Sequence, residues 1–401
     1  MNELASLGVI LFFALLAGHL VKFLRVPEVT GYLLAGVAVG PSFLGWITHD
    51  NLETLEVFSQ VALGLILFSI GSVFEFSRFR AIGRQALMVT AAESLLCGTL
   101  VSGGMLLAGQ PWNIALLLGT ISMGTGAAST LMVIRECNAE GNLTETLTGV
   151  IALNNIFCLV CFSLVVSLID LTSRAGQHFG DAIFASLFPL AWQMIGSLAL
   201  GFLIGLLLSL WSQHVVEHGE MLILMGGSVL LCVGFAQWLD LSPLVASLAV
   251  GATTVNVSKR SQGLFTSLSR TDPPLYAIFF VIGGADLNLA LLTSLGVLGL
   301  VYVFGRAAGK FFGSRYGARK AGLDAMTQKW IGFAILAQAG LAIGLVLIVN
   351  QKFPEAGSVV TTIVLASVAI FELIGPLAAR FALVGSRETR PDVPSESIAL
   401  D

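Results

Sequence analysis

The sequence predicts an all-α polytopic membrane protein. Of its 401 residues, 56% are hydrophobic and only 11% are charged, whereas soluble globular domains carry about 25% charged residues. The mean hydropathy is +0.90, and apolar runs long enough to cross a bilayer recur along the whole chain. We find no motif for nucleic acid or for a cofactor and no pairing of nucleophile with base, so we expect a protein that is not an enzyme.

About thirteen transmembrane helices are expected. Their approximate bounds are 4–24, 29–47, 57–76, 86–109, 112–135, 144–170, 183–212, 219–239, 242–256, 272–287, 291–313, 328–350 and 356–384. The first span is too long for a signal peptide and lacks a small-residue cleavage site, so it is expected to be retained. The membrane domain is predicted to cover residues 1–387. Residues 388–401 are short and polar, and we expect them to form a disordered tail.

The positive charges orient these helices. Of the 20 Lys and Arg residues, 16 fall in one alternate set of connections and two, Arg174 and Lys352, fall in the other; the last two lie inside a span. Because basic residues accumulate in cytoplasmic loops, the first set is predicted to be cytoplasmic. The N-terminus is then outside and the C-terminus inside a cell inner (plasma) membrane.

Two halves of the chain echo each other in order. The matching segments are VPEVTGYLLAGVAVGP (26–41) with LSPLVASLAVGATTVN (241–256), LFSIGSVFEF (67–76) with FFVIGGADLN (279–288), and SMGTGAAST (122–130) with LAQAGLAIG (336–344). Seven helices separate the copies, and an odd offset reverses the second copy in the membrane. We therefore predict inverted repeats at about 25–170 and 240–384, joined by a linker helix at about 183–212. Inverted repeats are typical of secondary transporters.

The third pair of segments predicts two interrupted helices that cross near the bilayer centre. Glycines at 124 and 126 in one copy, and at 340 and 344 in the other, disfavour continuous helix. Unwound backbone is tolerated at membrane depth only where it lines a site. The hydroxyls of Thr125 and Ser129 and the freed carbonyls are suitable ligands for a small cation.

Polar side chains inside apolar spans are costly and are candidates for function. Asn154 and Asn155 lie in the sixth span, at the depth of the expected crossing. Arg306 and Lys310 are four residues apart and therefore share one face of the eleventh span. Lys310 is favoured as functional, whereas Arg306 is equally consistent with an ion pair or with snorkelling.

Two carboxyl groups also lie inside spans. Glu93 is placed in the fourth span and Glu372 in the last. Either one serves equally well as a helix-pairing group or as a functional acid.

These segments together resemble the monovalent cation:proton antiporter-2 family, which contains the Kef-type and related sodium/proton exchangers. The resemblance covers nearly the whole membrane chain and depends on the repeats above, on ALNN in the sixth span and on GKFFGSRYGARKAG after Gly309. It implies a core domain that moves against a dimerisation domain in a homodimer. It also implies exchange of Na⁺ or K⁺ for H⁺ across the lipid bilayer.

The resemblance makes Asn154 and Asn155 unusual. Members of the family typically have an aspartate in this pair, which binds either the cation or the proton, whereas an amide coordinates but does not titrate. The resemblance places the cation near Asn154, Asn155 and Thr125 and pairs Lys310 with the same region. The proton carrier is then Lys310, Glu372 or Glu93.

Other interpretations stay open at this stage. Two amides beside two cationic side chains also suit an anion or a small organic acid. A channel or sensor on the same scaffold is a further alternative, and an aspartate replaced by design is another.

Overall fold

A computed structural model describes residues 3–24, 26–173, 179–215, 217–258, 260–287, 291 and 296–389. Within this part of the chain the backbone is almost entirely helical. The helices are α1 (Glu3–Phe23), α2 (Glu28–Val39), α3 (His49–Gly71), α4 (Phe76–Leu107), α5 (Trp112–Met123), α6 (Ala127–Glu136), α7 (Asn142–Ser173), α8 (Phe179–Trp211), α9 (His218–Trp238), α10 (Pro243–Val257), α11 (Ser261–Asp286), α12 (Gly296–Lys320), α13 (Ala325–Ala334), α14 (Gly340–Lys352) and α15 (Pro354–Gly385).

The all-α membrane architecture is confirmed. Eight helical segments among the described residues are long and apolar enough to cross a bilayer. Each predicted span overlaps one helix, except that 112–135 corresponds to the pair α5 and α6, and 328–350 to the pair α13 and α14. The chain is therefore interrupted in the two spans where interruption was predicted.

Close contacts join helices from the two halves of the chain. Helix α2 packs on α11, and α10 packs on α3. Glycine permits both contacts. A Cβ atom on Gly36 would lie 2.1 Å from the carbonyl oxygen of Val281, and one on Gly251 would lie 2.0 Å from that of Phe68.

Helices α4 and α12 form the most extensive helix pair among the described residues. A Cβ atom on Gly309 would lie 2.3 Å from the Cα of Cys97, so the two backbones nearly touch. The same contact directs a buried polar face of α12 at the two interrupted spans. Tyr302, Arg306 and Lys310 lie on this face at helical spacing, and all three are fully buried.

The beginning of the predicted tail is ordered, contrary to expectation. The carboxylate of Glu388 accepts hydrogen bonds from the backbone N–H groups of Leu143 and Thr144, at 2.8 Å each. These N–H groups lie in the first turn of α7, where no intrahelical acceptor exists. Glu388 therefore binds the start of the C-terminal segment to the N-terminus of α7, the helix that contains both asparagines. Residues 390–401 lie outside the described residues.

Candidate functional site

The two interrupted spans meet at their gaps. The first break is residues 124–126, between α5 and α6, and the second break is residues 335–339, between α13 and α14. The N–H of Gly126 donates to the carbonyl of Ala337 at 2.9 Å, so the breaks are in direct contact. The second break lies earlier than predicted. Gly340 begins α14 and Gly344 lies within it.

Arg306 binds both breaks. Its guanidinium donates to the carbonyl oxygens of Ser122 at 3.2 Å and Gly124 at 2.9 Å on one side. On the other side it donates to Leu336 at 2.6 Å and Ala337 at 2.9 Å. Helices α5 and α13 both end here, and the last carbonyls of a helix carry partial negative charge without intrahelical partners. Arg306 therefore supplies a donor to each of these four carbonyls.

Sequence reasoning left the role of Arg306 open, although a signal was present. Two helices that stop inside a membrane leave several carbonyl groups without water. Arginine is the side chain with five donors in a fixed plane, and Arg306 is one of two basic residues within a span. The structure shows neither snorkelling nor an ion pair for this residue among the described side chains, but a clamp on backbone carbonyls.

Lys310 lies one turn further along α12 and faces a carboxylate. Its Nζ lies 2.7 Å from Oε2 of Glu93, and both side chains are fully buried. The same Nζ donates to the hydroxyl of Thr125 at 2.9 Å and to the carbonyl of Met123. All three ammonium protons therefore have acceptors, one in the first break and one at the end of α5.

Asn154 joins this pair from α7. Its Nδ2 donates to Oε1 of Glu93 and, at 3.0 Å, to Oγ of Ser94. The hydroxyl of Ser94 donates to the same Glu93 oxygen at 3.0 Å. The Oδ1 of Asn154 is buried and has no hydrogen-bond partner in the described part of the chain. We call Glu93, Lys310, Asn154, Ser94 and Thr125 the buried network.

Asn155 points elsewhere, contrary to the expectation that both asparagines lie beside Lys310. It lines a cavity of about 30 Å³ whose other walls are apolar side chains of α3, α6, α7, α10 and α14, among them Leu67, Ala127, Leu244 and Leu341. Its Oδ1 is buried, and no described residue donates a hydrogen bond to it. Successive residues of a helix point about 100° apart, so neighbouring asparagines cannot both face one lysine.

The two remaining candidates are not in the buried network. Ser129 is buried in the first turn of α6, and its hydroxyl donates weakly to the carbonyl of Gly126 at 3.4 Å. Glu372 is 6% exposed, and no described residue donates to it or pairs with its charge. Its neighbour Phe371 covers the guanidinium of Arg306, with 4.3 Å between the ring centroid and Cζ.

Gln338 in the second break and its two partners, Tyr302 and Ser367, were absent from the predicted site. Nε2 of Gln338 donates to the hydroxyl of Tyr302 at 3.0 Å. Oε1 of Gln338 accepts from the hydroxyl of Ser367 at 3.2 Å. The segment LAQAG carries the signal for this contact, because a lone amide at membrane depth needs partners.

Comparison with known proteins places this geometry in context. The profile of a family described as sodium/hydrogen exchanger, transmembrane, matches residues 8–383. Two structures of the sodium proton antiporter MjNhaP1 from Methanocaldococcus jannaschii share the fold. One has a TM-score of 0.75 at 17% identity, over 97% of this chain and 98% of that one. The other, at pH 8, has a TM-score of 0.65 at 18% identity, over 96% and 95% of the two chains.

Proposed function

The chain belongs to the sodium/hydrogen exchanger family, and from this premise we propose that it exchanges Na⁺ or K⁺ for protons by alternating access. The observation that carries the proposal is the buried pair of Glu93 and Lys310 beside the first break. In this proposal Glu93 on α4 supplies the carboxylate that Asn154 and Asn155 on α7 lack.

The charges of the buried network favour a cation as substrate. Lys310 and Glu93 neutralise each other, and Arg306 is occupied by four carbonyl oxygens. An anion would have to compete with Glu93 for the ammonium group. The two unpaired cations that made an anion or organic acid plausible from sequence are therefore both engaged, which supports the cation.

The amide oxygens suit the entry of that cation. Oδ1 of Asn154 and Oδ1 of Asn155 are buried acceptors on adjacent residues, one beside Glu93 and one on the cavity. A dehydrated cation needs oxygen ligands. We propose that it passes from Asn155 to Asn154 and then takes the Glu93 carboxylate.

The proton comes from Lys310 in this scheme. When the cation takes Glu93, the ammonium group loses the partner that favours its charged form and releases a proton. The site holds one positive charge against one negative charge both before and after the replacement. We therefore propose that one cation exchanges for one proton and that no net charge crosses the membrane.

Glu372 is the competing proton carrier. It is a buried carboxyl group without a partner among the described residues, and such a group is least costly when it is neutral. It has no contact with the buried network, and this supports Glu93 over Glu372.

The test is cation-driven pH change in proteoliposomes that contain an internal pH dye. Glu93→Gln is expected to abolish the response to Na⁺ and K⁺, because the amide keeps the shape and removes the charge. Glu372→Gln is the matched variant, with the same substitution at another buried site. Loss of exchange in Glu372→Gln with full exchange in Glu93→Gln would transfer the role to Glu372. A pH response to anions alone in the parent protein would overturn cation exchange.

Orientation and assembly stay predictions of the sequence. We propose an inner-membrane homodimer with its N-terminus outside. A reporter that functions only in the cytoplasm should be active when it is fused to the C-terminus. The protein mass measured in detergent should be twice the 42.2 kDa of one chain.

A further inference from the structure

The end of α6 reaches across to a different group of helices. Oε2 of Glu136 accepts the backbone N–H of Glu28, the first residue of α2, at 2.8 Å. The preceding residue, Arg135, donates to the hydroxyl of Ser69 on α3. Its guanidinium also lies 6.0 Å from the ring centroid of Tyr276 on α11. Two consecutive residues therefore connect α6 to α2, α3 and α11, and both α2 and α3 pack on α11.

Further charged and polar side chains lie on each side of these contacts. On the side of α6, Arg380 of α15 lies 3.4 Å from Oε1 of Glu136. On the side of α2, Lys22 lies 2.5 Å from Oε1 of Glu28, and the hydroxyl of Tyr32 donates to Oε2 of Glu28 at 2.9 Å. The carboxylate of Glu136 lies at the N-terminus of α2, where negative charge is favoured. We call Arg135, Glu136, Glu28 and Ser69 the polar seam.

Open space lies further along α3, towards its N-terminus from Ser69 of the polar seam. A cavity of about 150 Å³ is lined by Gln60, Leu67 and Leu244. Leu67 and Leu244 also line the cavity at Asn155. Gln60 precedes Ser69 by nine residues on α3, which is about 13 Å along a helix axis. The two cavities therefore share lining residues, and the larger one extends away from Ser69 along α3.

We propose that the polar seam is a gate, which closes one face of the membrane while the Asn155 cavity communicates with the other. This inference rests on the proposed function, since alternating access requires contacts that form on one side and separate on the other. The helices on either side of the polar seam are the proposed moving and static parts: α6 and α15 carry one half, and α2, α3 and α11 carry the other.

The chemistry of the polar seam suits a contact that opens and closes. Its bonds are few, and their partners are partly exposed, so water can replace each bond when the halves separate. The cavity walls are apolar, and separation there exposes surface that water does not stabilise. Separating the two groups of helices at the polar seam should therefore cost less free energy than separating them at the apolar cavity walls.

Labelling of a cysteine in the cavity tests the gate. Leu67→Cys, in a Cys137→Ser background, is exposed in proteoliposomes to a membrane-impermeant maleimide from either face, and the same background without Leu67→Cys gives the blank. Lys22→Cys marks the face on which the polar seam lies, because Lys22 is 61% exposed at that end. Adding Glu136→Ala should raise the labelling rate from the marked face by about fivefold or more. It should also lower the rate from the opposite face.

Matched variants keep the test decisive. Lys22→Ala removes a charge pair that lies within one half of the seam, so its labelling rates should equal those of the parent. If Glu136→Ala does not yield folded protein, Glu136→Gln and Ser69→Ala each weaken one contact and should shift the rates in the same direction. Parent-like rates in every seam variant would overturn the gate. Labelling needs no ion gradient, so it stays informative even if the protein shows no exchange.

Discussion

Arg306 and Lys310 lie one turn apart on the same face of α12, and both are fully buried cations. Their partners differ in kind. The guanidinium of Arg306 donates to backbone carbonyls on both breaks. The ammonium of Lys310 is held by one carbonyl, one hydroxyl and the Glu93 carboxylate.

This difference in partners indicates two roles: Arg306 stabilises the structure of the breaks, and Lys310 belongs to a group whose charge can change. Arginine does not deprotonate in proteins, and carbonyls do not titrate, so no proton transfer can alter the Arg306 contacts during a transport cycle. Lysine and glutamate both exchange protons, and a small cation can replace the ammonium group. We therefore expect substitutions at Arg306 to affect stability and substitutions at Lys310 to affect exchange.

Arg306→Ala should have the largest effect on stability. It removes the guanidinium donor from four buried carbonyl groups. Those of Ala337 and Ser122 keep one other donor each, whereas the loss at Gly124 and Leu336 should cost about 1–3 kcal/mol each, against a total stability of about 5–15 kcal/mol for a typical protein. We expect little monodisperse protein after extraction into detergent. Arg306→Lys, which keeps the charge but not the fork, should be intermediate. Thermal stability of Arg306→Ala equal to that of the parent would show that the breaks do not need this clamp.

The Lys310–Glu93 pair should show strong coupling. Lys310→Met and Glu93→Gln each leave one uncompensated buried charge, and each should destabilise the protein by about 3–5 kcal/mol. The double variant removes both charges and should recover most of that stability, while exchange stays absent in all three variants. Thermal unfolding measures the predicted stability changes, and cation-driven pH change in proteoliposomes measures the predicted loss of exchange. Additive losses in the double variant would mean that the two residues act independently.

Asn155→Asp should have a smaller effect, on affinity. A carboxylate in the apolar cavity would attract the cation before it reaches Glu93, and a tenfold fall in the half-saturating cation concentration corresponds to about 1.4 kcal/mol. Asn154→Asp is the matched variant and should reduce exchange, because it places a second carboxylate against Glu93. Both are measured as cation-driven pH change between pH 6 and 9. If Asn155→Asp behaves as the parent does, the cation does not pass through this cavity.

The sequence was sufficient for the helices and for the first break. Apolar length identifies the eight segments that can cross a bilayer among the described residues, and two glycines around Thr125 interrupt the fifth predicted span. The second break was misplaced because Leu336, Ala337 and Ala339 are not helix breakers. Their backbone is open because Arg306 and the first break take its carbonyls, and this contact between distant segments has no local signature.

The buried network was only partly accessible to sequence reasoning. Lys310, Asn154 and Glu93 were each identified as polar residues at membrane depth, but their pairing depends on how α4, α7 and α12 pack. The direction of Asn155 could have been predicted, since adjacent helical residues diverge by about 100°. Family resemblance drew attention to position 155 as the missing acid, whereas the carboxylate lies on a different helix.

The smallest expected effect is at Tyr302, one turn before Arg306. Tyr302→Phe removes the acceptor of Gln338 at the second break, a loss of about 1 kcal/mol, and thermal stability should fall slightly. Exchange should be unchanged, because Tyr302, like Arg306, contacts groups that neither titrate nor bind the cation in the proposed scheme. Gln338→Leu is the companion variant, and it should lower stability further, since it also removes the acceptor of Ser367. A changed half-saturating cation concentration in Tyr302→Phe, at parent stability, would show that the second break rearranges during exchange. The boundary between the fixed and the exchanging parts of α12 would then not lie between Arg306 and Lys310.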